Sequence, residues 1–141
     1  MKLGTKARSL KSLEKTADKW FSLYIRLRDA DENGMVKCVT CGKIAHYKEM
    51  DCGHFVTRNH KVTRFREENC NVQCTSCNQF KKGEQYLHGK YIDLKYGLDT
   101  AEYLVHIGKG TSARTRTDFE YLIGRYKQKA RDRAEELNIK I

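Results

Sequence analysis

Four cysteines in two closely spaced pairs are the residues of this chain with the clearest chemistry. Cys38 and Cys41 form one Cys-x-x-Cys pair, and Cys74 and Cys77 form the second. Paired thiolates at this spacing favour a tetrahedral zinc site, and four sulfur ligands leave no coordination position open for a substrate. The pattern therefore predicts a structural Zn²⁺ ion. By itself it predicts no particular function, because many zinc-binding modules have no catalytic activity.

A histidine and two asparagines lie between and directly after these pairs, in an order that suits phosphodiester hydrolysis. That reaction needs a base for the attacking water, a cation at the phosphate and a proton donor for the departing oxygen. Histidine titrates near neutrality, so His54 is the candidate base. Asn78 directly follows the last zinc ligand, and its amide oxygen suits Mg²⁺ or Mn²⁺, with Asp51 as a second candidate ligand. Asn69 would hold a hairpin loop or orient the imidazole.

Basic side chains near these residues are candidates for contacts with the phosphates of DNA, because guanidinium groups can pair with phosphate in a bidentate way. Three lie in a basic loop predicted over residues 57–65, and two follow the second cysteine pair. They are Arg58, His60 and Arg64 in the loop, and Lys81 and Lys82 after it. The alternative interpretation of these positions is that they are ordinary exposed side chains.

Two amphipathic helices are predicted near the ends of the chain. Apolar residues recur at intervals of three and four from Leu10 onwards, after a basic arm over residues 1–8. The last helix is predicted over residues 118–137, with Thr117 and Glu120 as its capping box. A homodimer through one of these helices is our hypothesis, because an apolar helical stripe can form a dimer seam as well as pack against the core.

The elements between the two end helices are predicted to be short. Strands are predicted over residues 35–38, 50–56 and 66–73, and helical segments over 75–82, 91–96 and 100–107. Gly83 and Gly89 are expected to interrupt the chain between the first two helical segments. The predicted fold class is α+β. It has an arm and helix over 1–34, a zinc-bound core over 35–97 and a basic helical extension over 98–141.

Composition narrows the class of partner. The formal net charge is +10, from 28 Lys+Arg against 18 Asp+Glu, which favours a polyanion such as nucleic acid. The chain has no long apolar run and no apparent signal peptide, so we expect a cytoplasmic protein without a membrane partner. In that compartment cysteines are reduced thiols or metal ligands. Cys52 and Cys70, which are outside the two pairs, are expected to be small buried residues.

At these residues the chain resembles the HNH (His-Me finger) nucleases. The shared order is C-x-x-C, H, then N-x-x-x-x-C-x-x-C-[HN]-x-x-K, which begins at Cys38 and ends at Lys81. More closely, the chain resembles the lambdoid-phage Rap/NinG recombination proteins. That resemblance is carried by FSLYIRLRD from Phe21, DCGHF from Asp51 and QCTSCN from Gln73.

The resemblance implies a ββα-metal core, in which a hairpin is followed by a helix. It also implies a phage-encoded, structure-specific endonuclease that cuts branched recombination intermediates, such as Holliday junctions and D-loops, in the host cytoplasm. His54 would be the general base and Asn78 a metal ligand. HNH nucleases with a metal-binding aspartate often have it directly before the base, but here Gly53 has that place and Asp51 is three residues before His54.

Two other functions remain open from the sequence. One is a zinc-containing module that binds nucleic acid without cutting it, although such a module has no need of Asn78 near His54. The other is an HNH nuclease with no preference for branched DNA. Cleavage in the presence of a divalent cation would distinguish a nuclease from the non-cutting module. Competition between junction and linear duplex would distinguish a junction-specific nuclease from one without branch preference.

Overall fold

The computed structural model describes residues 7–141, and within them the protein has an α+β fold. Residues 1–6 of the predicted arm lie outside the described part. The described elements are α1 (Leu10–Arg28), β1 (Met35–Lys37), β2 (Ile44–His46), β3 (Asp51–His54), β4 (Cys70–Gln73), α2 (Gln85–Tyr96), α3 (Thr100–Gly108) and α4 (Arg116–Glu136). Among these residues no helix is both long and apolar enough to cross a membrane.

The helices α1 and α4 pack against each other, and α1 also packs against β3 and β4. The apolar spacing that predicted α1 is explained by this packing, since Phe21 and Ile25 are buried together with Phe119 and Tyr126 of α4. The rings of Phe21 and Tyr126 meet edge to face with centroids 4.8 Å apart. Because these apolar faces cover each other, a dimer through α1 or α4 would have to use their outer faces.

The cap of α4 differs from the prediction. Its capping box is formed by Thr115 and Asp118: the Thr115 amide donates to the Asp118 carboxylate at 2.7 Å, and the Asp118 amide donates to the Thr115 hydroxyl at 3.2 Å. Thr117 and Glu120 have the same spacing and were the wrong choice. Starting the helix two residues earlier places Phe119 in its first turn, where it is buried against α1.

Two antiparallel hairpins form the middle of the protein. In the first, Val36 of β1 pairs with Ala45 of β2. In the second, His54 of β3 pairs with Cys70 of β4, so the end of β3 lies opposite the start of β4. Both strands of this hairpin are shorter than predicted. Residues 67–69 form a 3-10 turn instead of strand, which places the Asn69 side chain under the connecting loop.

The segment after the second hairpin also differs from the prediction. Instead of a helix over 75–82 there is one turn of π-helix, Ser76–Phe80, and then a bend with Lys82 and Glu84 at positive φ. Gly89 does not interrupt the chain but lies inside α2. A Cβ there would lie 3.2 Å from a ring carbon of Phe55, so glycine permits the close approach of α2 to the loop after β3. The predicted α3 is confirmed, one residue longer than expected.

Arg28, at the end of α1, joins this helix to the second hairpin. Its guanidinium donates to the carbonyl oxygens of Glu67 and Cys70 and to the side-chain oxygen of Asn71, each at 3.1 Å. One cation thereby satisfies three acceptors at the edge of β4. The hairpin therefore has a fixed position relative to α1, and the candidate site lies between the two.

Candidate active site and metal centre

The four predicted zinc ligands come together. Cys38, Cys41, Cys74 and Cys77 have sulfur atoms that all lie within 4.8 Å of one another, and the Sγ atoms of Cys41 and Cys74 are 3.7 Å apart. Tetrahedral zinc with bonds of about 2.3 Å to sulfur requires sulfur atoms about 3.8 Å apart. The cluster therefore fits a Zn²⁺ ion with four thiolate ligands, the structural kind of site.

This cluster joins three parts of the chain. Cys38 and Cys41 lie in a tight turn closed by a hydrogen bond from Gly42 N–H to the Cys38 carbonyl at 2.9 Å, with Gly42 at φ 82°. Cys74 and Cys77 lie at the end of β4 and in the π-helical turn. The backbone N–H of Asn78 donates to the Cys74 carbonyl at 2.9 Å, so the position of Asn78 depends directly on the cluster.

An open groove of about 720 Å³ lies between α1, β3 and the π-helical turn. His54, Asp51 and Asn78 all line it, so the structure brings together the candidate base and the two candidate cation ligands. The Asn78 amide nitrogen donates to the Asp51 carboxylate at 3.1 Å, and the Gln79 side chain donates to the same oxygen at 3.3 Å. A carboxylate and a carboxamide are thus adjacent in the groove, and a hard cation beside Asp51 would be bound by the Asn78 oxygen once the carboxamide turns this oxygen, in place of its nitrogen, toward it.

His54 has one ring nitrogen bound and one free. Its Nε2 lies 3.0 Å from the carbonyl oxygen of Arg64, which can only accept, so Nε2 carries the proton. Among the described residues no group hydrogen-bonds to Nδ1, which therefore has its lone pair available. Burial lowers the pKa of His54 to about 4, so the imidazole is neutral at physiological pH. A neutral imidazole with a free nitrogen is able to accept a proton from water.

Asn69 lies behind the groove and contacts the backbone of the connecting loop. It is fully buried; its side-chain oxygen accepts from Val56 N–H at 2.8 Å, and its amide donates to the carbonyls of Val56 at 3.0 Å and Thr63 at 3.2 Å. Within the described residues it has no hydrogen bond to the His54 ring. Of the two expected tasks, holding the loop is the one that these contacts serve.

The structure places two of the five basic candidates in the groove and the other three outside it. Arg58 and Lys82 are exposed and line the groove, whereas Lys81 is exposed outside it. His60 is outside the groove too, with Nδ1 3.0 Å from the Gly108 carbonyl oxygen. Arg64 donates from Nε to Asp18 at 3.0 Å and its side chain is 12% exposed. Because Asp18 balances its charge within the protein, we leave Arg64 out of the proposed phosphate contacts.

Arg26 of α1 also lines the groove, and the sequence analysis did not single it out. Its Nε and Nη1 donate to the carbonyl oxygens of Ser22 and Tyr47 at 3.2 and 3.1 Å. Burial lowers the pKa of this guanidinium, and among the described residues it has no carboxylate partner. The available sequence signal was the spacing of Asp18, Ser22 and Arg26 by four residues, which places polar side chains along one side of α1.

His88 is a second buried histidine, close to the hairpin. It is 0% exposed, and its Nε2 accepts from the Asn71 side-chain amide at 3.1 Å. Burial, with a smaller contribution from the neighbouring His54, lowers the pKa of His88 to about 4. His88 lies in the packed interior beneath β4, outside the groove.

The donor sets of the two candidate metal positions are different in kind. Four sulfur atoms suit a thiophilic ion, while the oxygen atoms of Asp51 and Asn78 suit Mg²⁺ or Mn²⁺. Only the oxygen position opens into the groove that contains His54. The arrangement therefore separates a closed structural metal centre from an open position at which a phosphate could meet a cation and a base.

Comparison with known proteins identifies the family. The family model described as "Bacteriophage Lambda NinG protein" matches residues 2–136, most of the chain. No match is found among curated proteins or among solved structures. The chain therefore belongs to the bacteriophage lambda NinG family.

Proposed function

We propose that this protein is a metal-dependent DNA endonuclease of the HNH type, with the β3–β4 hairpin and the following helical turn as its ββα-metal core. One observation carries the proposal: the neutral, half-free imidazole of His54 opens into the same groove as the adjacent side chains of Asp51 and Asn78. A module that only bound nucleic acid would have no use for this combination.

Each residue has a defined task in the hydrolysis. Nδ1 of His54 takes the proton of the attacking water, while the Nε2–H bond to the Arg64 carbonyl holds the ring in one orientation and stabilises the positive charge that develops. Asp51 and Asn78 would hold Mg²⁺ or Mn²⁺, which when bound neutralises charge on the phosphate and supplies an acidic water for the leaving oxygen. Arg26 offers its unpaired guanidinium nitrogen to a phosphate oxygen.

We propose branched recombination intermediates, such as Holliday junctions and D-loops, as the DNA substrates. Family membership and the net charge of +10 support a DNA partner in phage recombination. Arg58 and Lys82, at the rim of the groove, would contact phosphates flanking the cut. We propose that the protein acts as a homodimer that cuts two strands, in the cytoplasm of the host cell.

The experiment is cleavage of an end-labelled four-way junction by protein freed of loosely bound metal, with and without added Mg²⁺. We expect cleavage only with the cation, and loss of cleavage in Asp51→Asn with the zinc content unchanged. Glu49→Gln, an exposed carboxylate change on the approach to β3, is the matched control. Junction binding without cutting in Mg²⁺ or Mn²⁺ would favour the non-catalytic zinc module. Equal cleavage of junction and linear duplex in competition would remove the branch preference.

A further inference from the structure

A second group of thiophilic side chains lies on the hairpin face toward α1, separate from the four-cysteine cluster. It consists of Cys52, His54 and Cys70, whose two sulfur atoms and one ring nitrogen all lie within 4.8 Å of one another. The register of the hairpin explains this: Cys52 and His54 are alternate residues of β3 and share a face, and Cys70 is the β4 partner of His54. The sequence did not indicate a common role for these three residues.

We propose that Cys52, His54 and Cys70 form a binding site for one thiophilic divalent ion of the Zn²⁺ class, and that the bound ion inhibits the enzyme. Both thiols release a proton to solvent as the ion binds, and the His54 lone pair becomes a metal bond. The binding itself stands on the geometry of the three side chains. Its inhibitory effect rests on the proposed function, because an imidazole that binds the ion through one nitrogen carries its proton on the other and has no lone pair left for the proton of the attacking water.

The donor set and spacing support such a site. Two sulfur atoms and an imidazole are the ligands that zinc prefers, whereas Mg²⁺ requires oxygen, so the two kinds of ion are directed to different positions. With bonds of about 2.3 Å to sulfur and 2.0–2.1 Å to nitrogen, two sulfur atoms around tetrahedral zinc are about 3.8 Å apart, and a sulfur and a nitrogen are about 3.6 Å apart. Atoms within 4.8 Å of one another need to approach by at most about 1.2 Å.

The surroundings of the triad also suit a metal ion. Imidazole ligands ordinarily donate their other ring N–H to a carbonyl or carboxylate, and an ion on Nδ1 of His54 would leave Nε2–H on the Arg64 carbonyl, which lies 3.0 Å away. Cys52 lines the groove, which gives an ion a path from solvent, whereas Cys70 is fully buried and closes the inner side. A dication with two thiolates is neutral in sum, so the nearby Arg26 and Arg28 do not oppose it.

Metal stoichiometry tests the proposal without relying on activity. Zinc-loaded protein is dialysed against a fixed low concentration of free Zn²⁺ under reducing conditions, and zinc per chain is measured. We expect two ions per chain in the wild type and one in Cys52→Ser. Loss of an outer-shell partner weakens metal binding about 10- to 100-fold. Cys52→Ser removes a ligand itself, so zinc affinity at this site should fall by at least that factor. Asp51→Asn is the matched control and should keep both ions.

Cobalt provides an independent readout, because Co²⁺ bound to thiolate has a charge-transfer band that Co²⁺ bound to oxygen lacks. Added to protein dialysed until one zinc ion per chain remains, it should produce this band in the wild type and in Asp51→Asn but not in Cys52→Ser. One zinc ion per wild-type chain with no cobalt band would overturn the proposal. If the wild type binds two ions but no preparation, with or without the second ion, cleaves DNA, the result supports the metal site and counts against the nuclease. The two failures are therefore distinguishable.

Discussion

Replacing the buried Asn69 by leucine should destabilise the fold strongly, because its side chain holds the loop that connects β3 and β4. Leucine has the same number and branching of side-chain heavy atoms but leaves the Val56 N–H and the carbonyls of Val56 and Thr63 without their partners. Each buried polar group left unpaired costs about 1–3 kcal/mol, and the two Val56 groups are only partly buried. The expected loss of unfolding free energy is therefore about 3–5 kcal/mol.

The assay is urea unfolding followed by circular dichroism with zinc in excess, analysed by linear extrapolation. Asn69→Asp is a second variant: it keeps the acceptor for Val56 N–H but points a carboxylate at two carbonyl oxygens, so it should lose at least as much stability. Asn59→Leu, in the exposed part of the same loop, is the matched control and should stay within about 0.5 kcal/mol of wild type. An Asn69→Leu protein as stable as wild type but devoid of nuclease activity would refute this reasoning and return Asn69 to a role at the imidazole.

Four further predictions concern the metal, the pH dependence and the groove. Removing zinc with a chelator under reducing conditions should unfold the hairpin region and abolish DNA cleavage, measured by circular dichroism and junction assay; retention of both would contradict the structural zinc. The kcat/KM for cleavage should decrease only as the pH falls through about 4, because His54 stays neutral above that value. A decrease in kcat/KM that begins near pH 6.5 would contradict this. Buried His88 takes a proton in the unfolded chain below pH about 6.5 but in the folded one only below about 4, so unfolding free energy should fall as the pH drops between these values. His88→Gln should reduce that slope in urea titrations at several pH values, and an unchanged slope would count against it. Arg26→Ala should lower kcat/KM about 10- to 100-fold through loss of a charged phosphate contact, and should lower the unfolding free energy by about 1–3 kcal/mol because the Tyr47 carbonyl loses its charged donor; Lys48→Ala, an exposed cation outside the groove, should have no such effect on kcat/KM.

The features predicted well from sequence are those set by local spacing. The stripe that begins at Leu10 fixes the first turn of α1 and the face that it buries, and the two Cys-x-x-Cys pairs bring four sulfur atoms together. The stripe and each cysteine pair depend on residues a few positions apart, which spacing records directly, and the need of zinc for four ligands indicates that the two distant pairs meet. The placement of Asn78 in the groove follows for the same reason, since it is the next residue after a zinc ligand.

The features that the sequence did not indicate depend on contacts between distant segments. Arg64 looks like a phosphate ligand in its basic loop, but Asp18, which is 46 residues away, balances its charge. Gly89 looks like a helix breaker until the ring of Phe55 is placed against it. Arg26 gains its candidate role only because α1 forms a wall of the groove. No local pattern carries this information, because it arises from tertiary packing.

The side-by-side position of Cys52, His54 and Cys70 illustrates the same limit. From sequence, Cys52 and Cys70 were single cysteines without a partner, and small buried residues were the natural expectation. The observed hairpin register places both sulfur atoms within 4.8 Å of the candidate base. A shift of one residue in this register would turn Cys70 to the opposite face, so the cluster exists only through the pairing of the strands.

The most direct measurement for the nuclease account is the single-turnover rate at which His54→Ala cuts a four-way junction in Mg²⁺. A general base contributes about 10²- to 10⁴-fold, so we predict a loss of at least about 100-fold, with the zinc of the four-cysteine cluster retained and junction affinity equal to that of the wild type. His60→Ala, a histidine of the same loop region outside the groove, serves as the matched control and should cut at nearly the wild-type rate. Cleavage by His54→Ala at the wild-type rate would contradict the account.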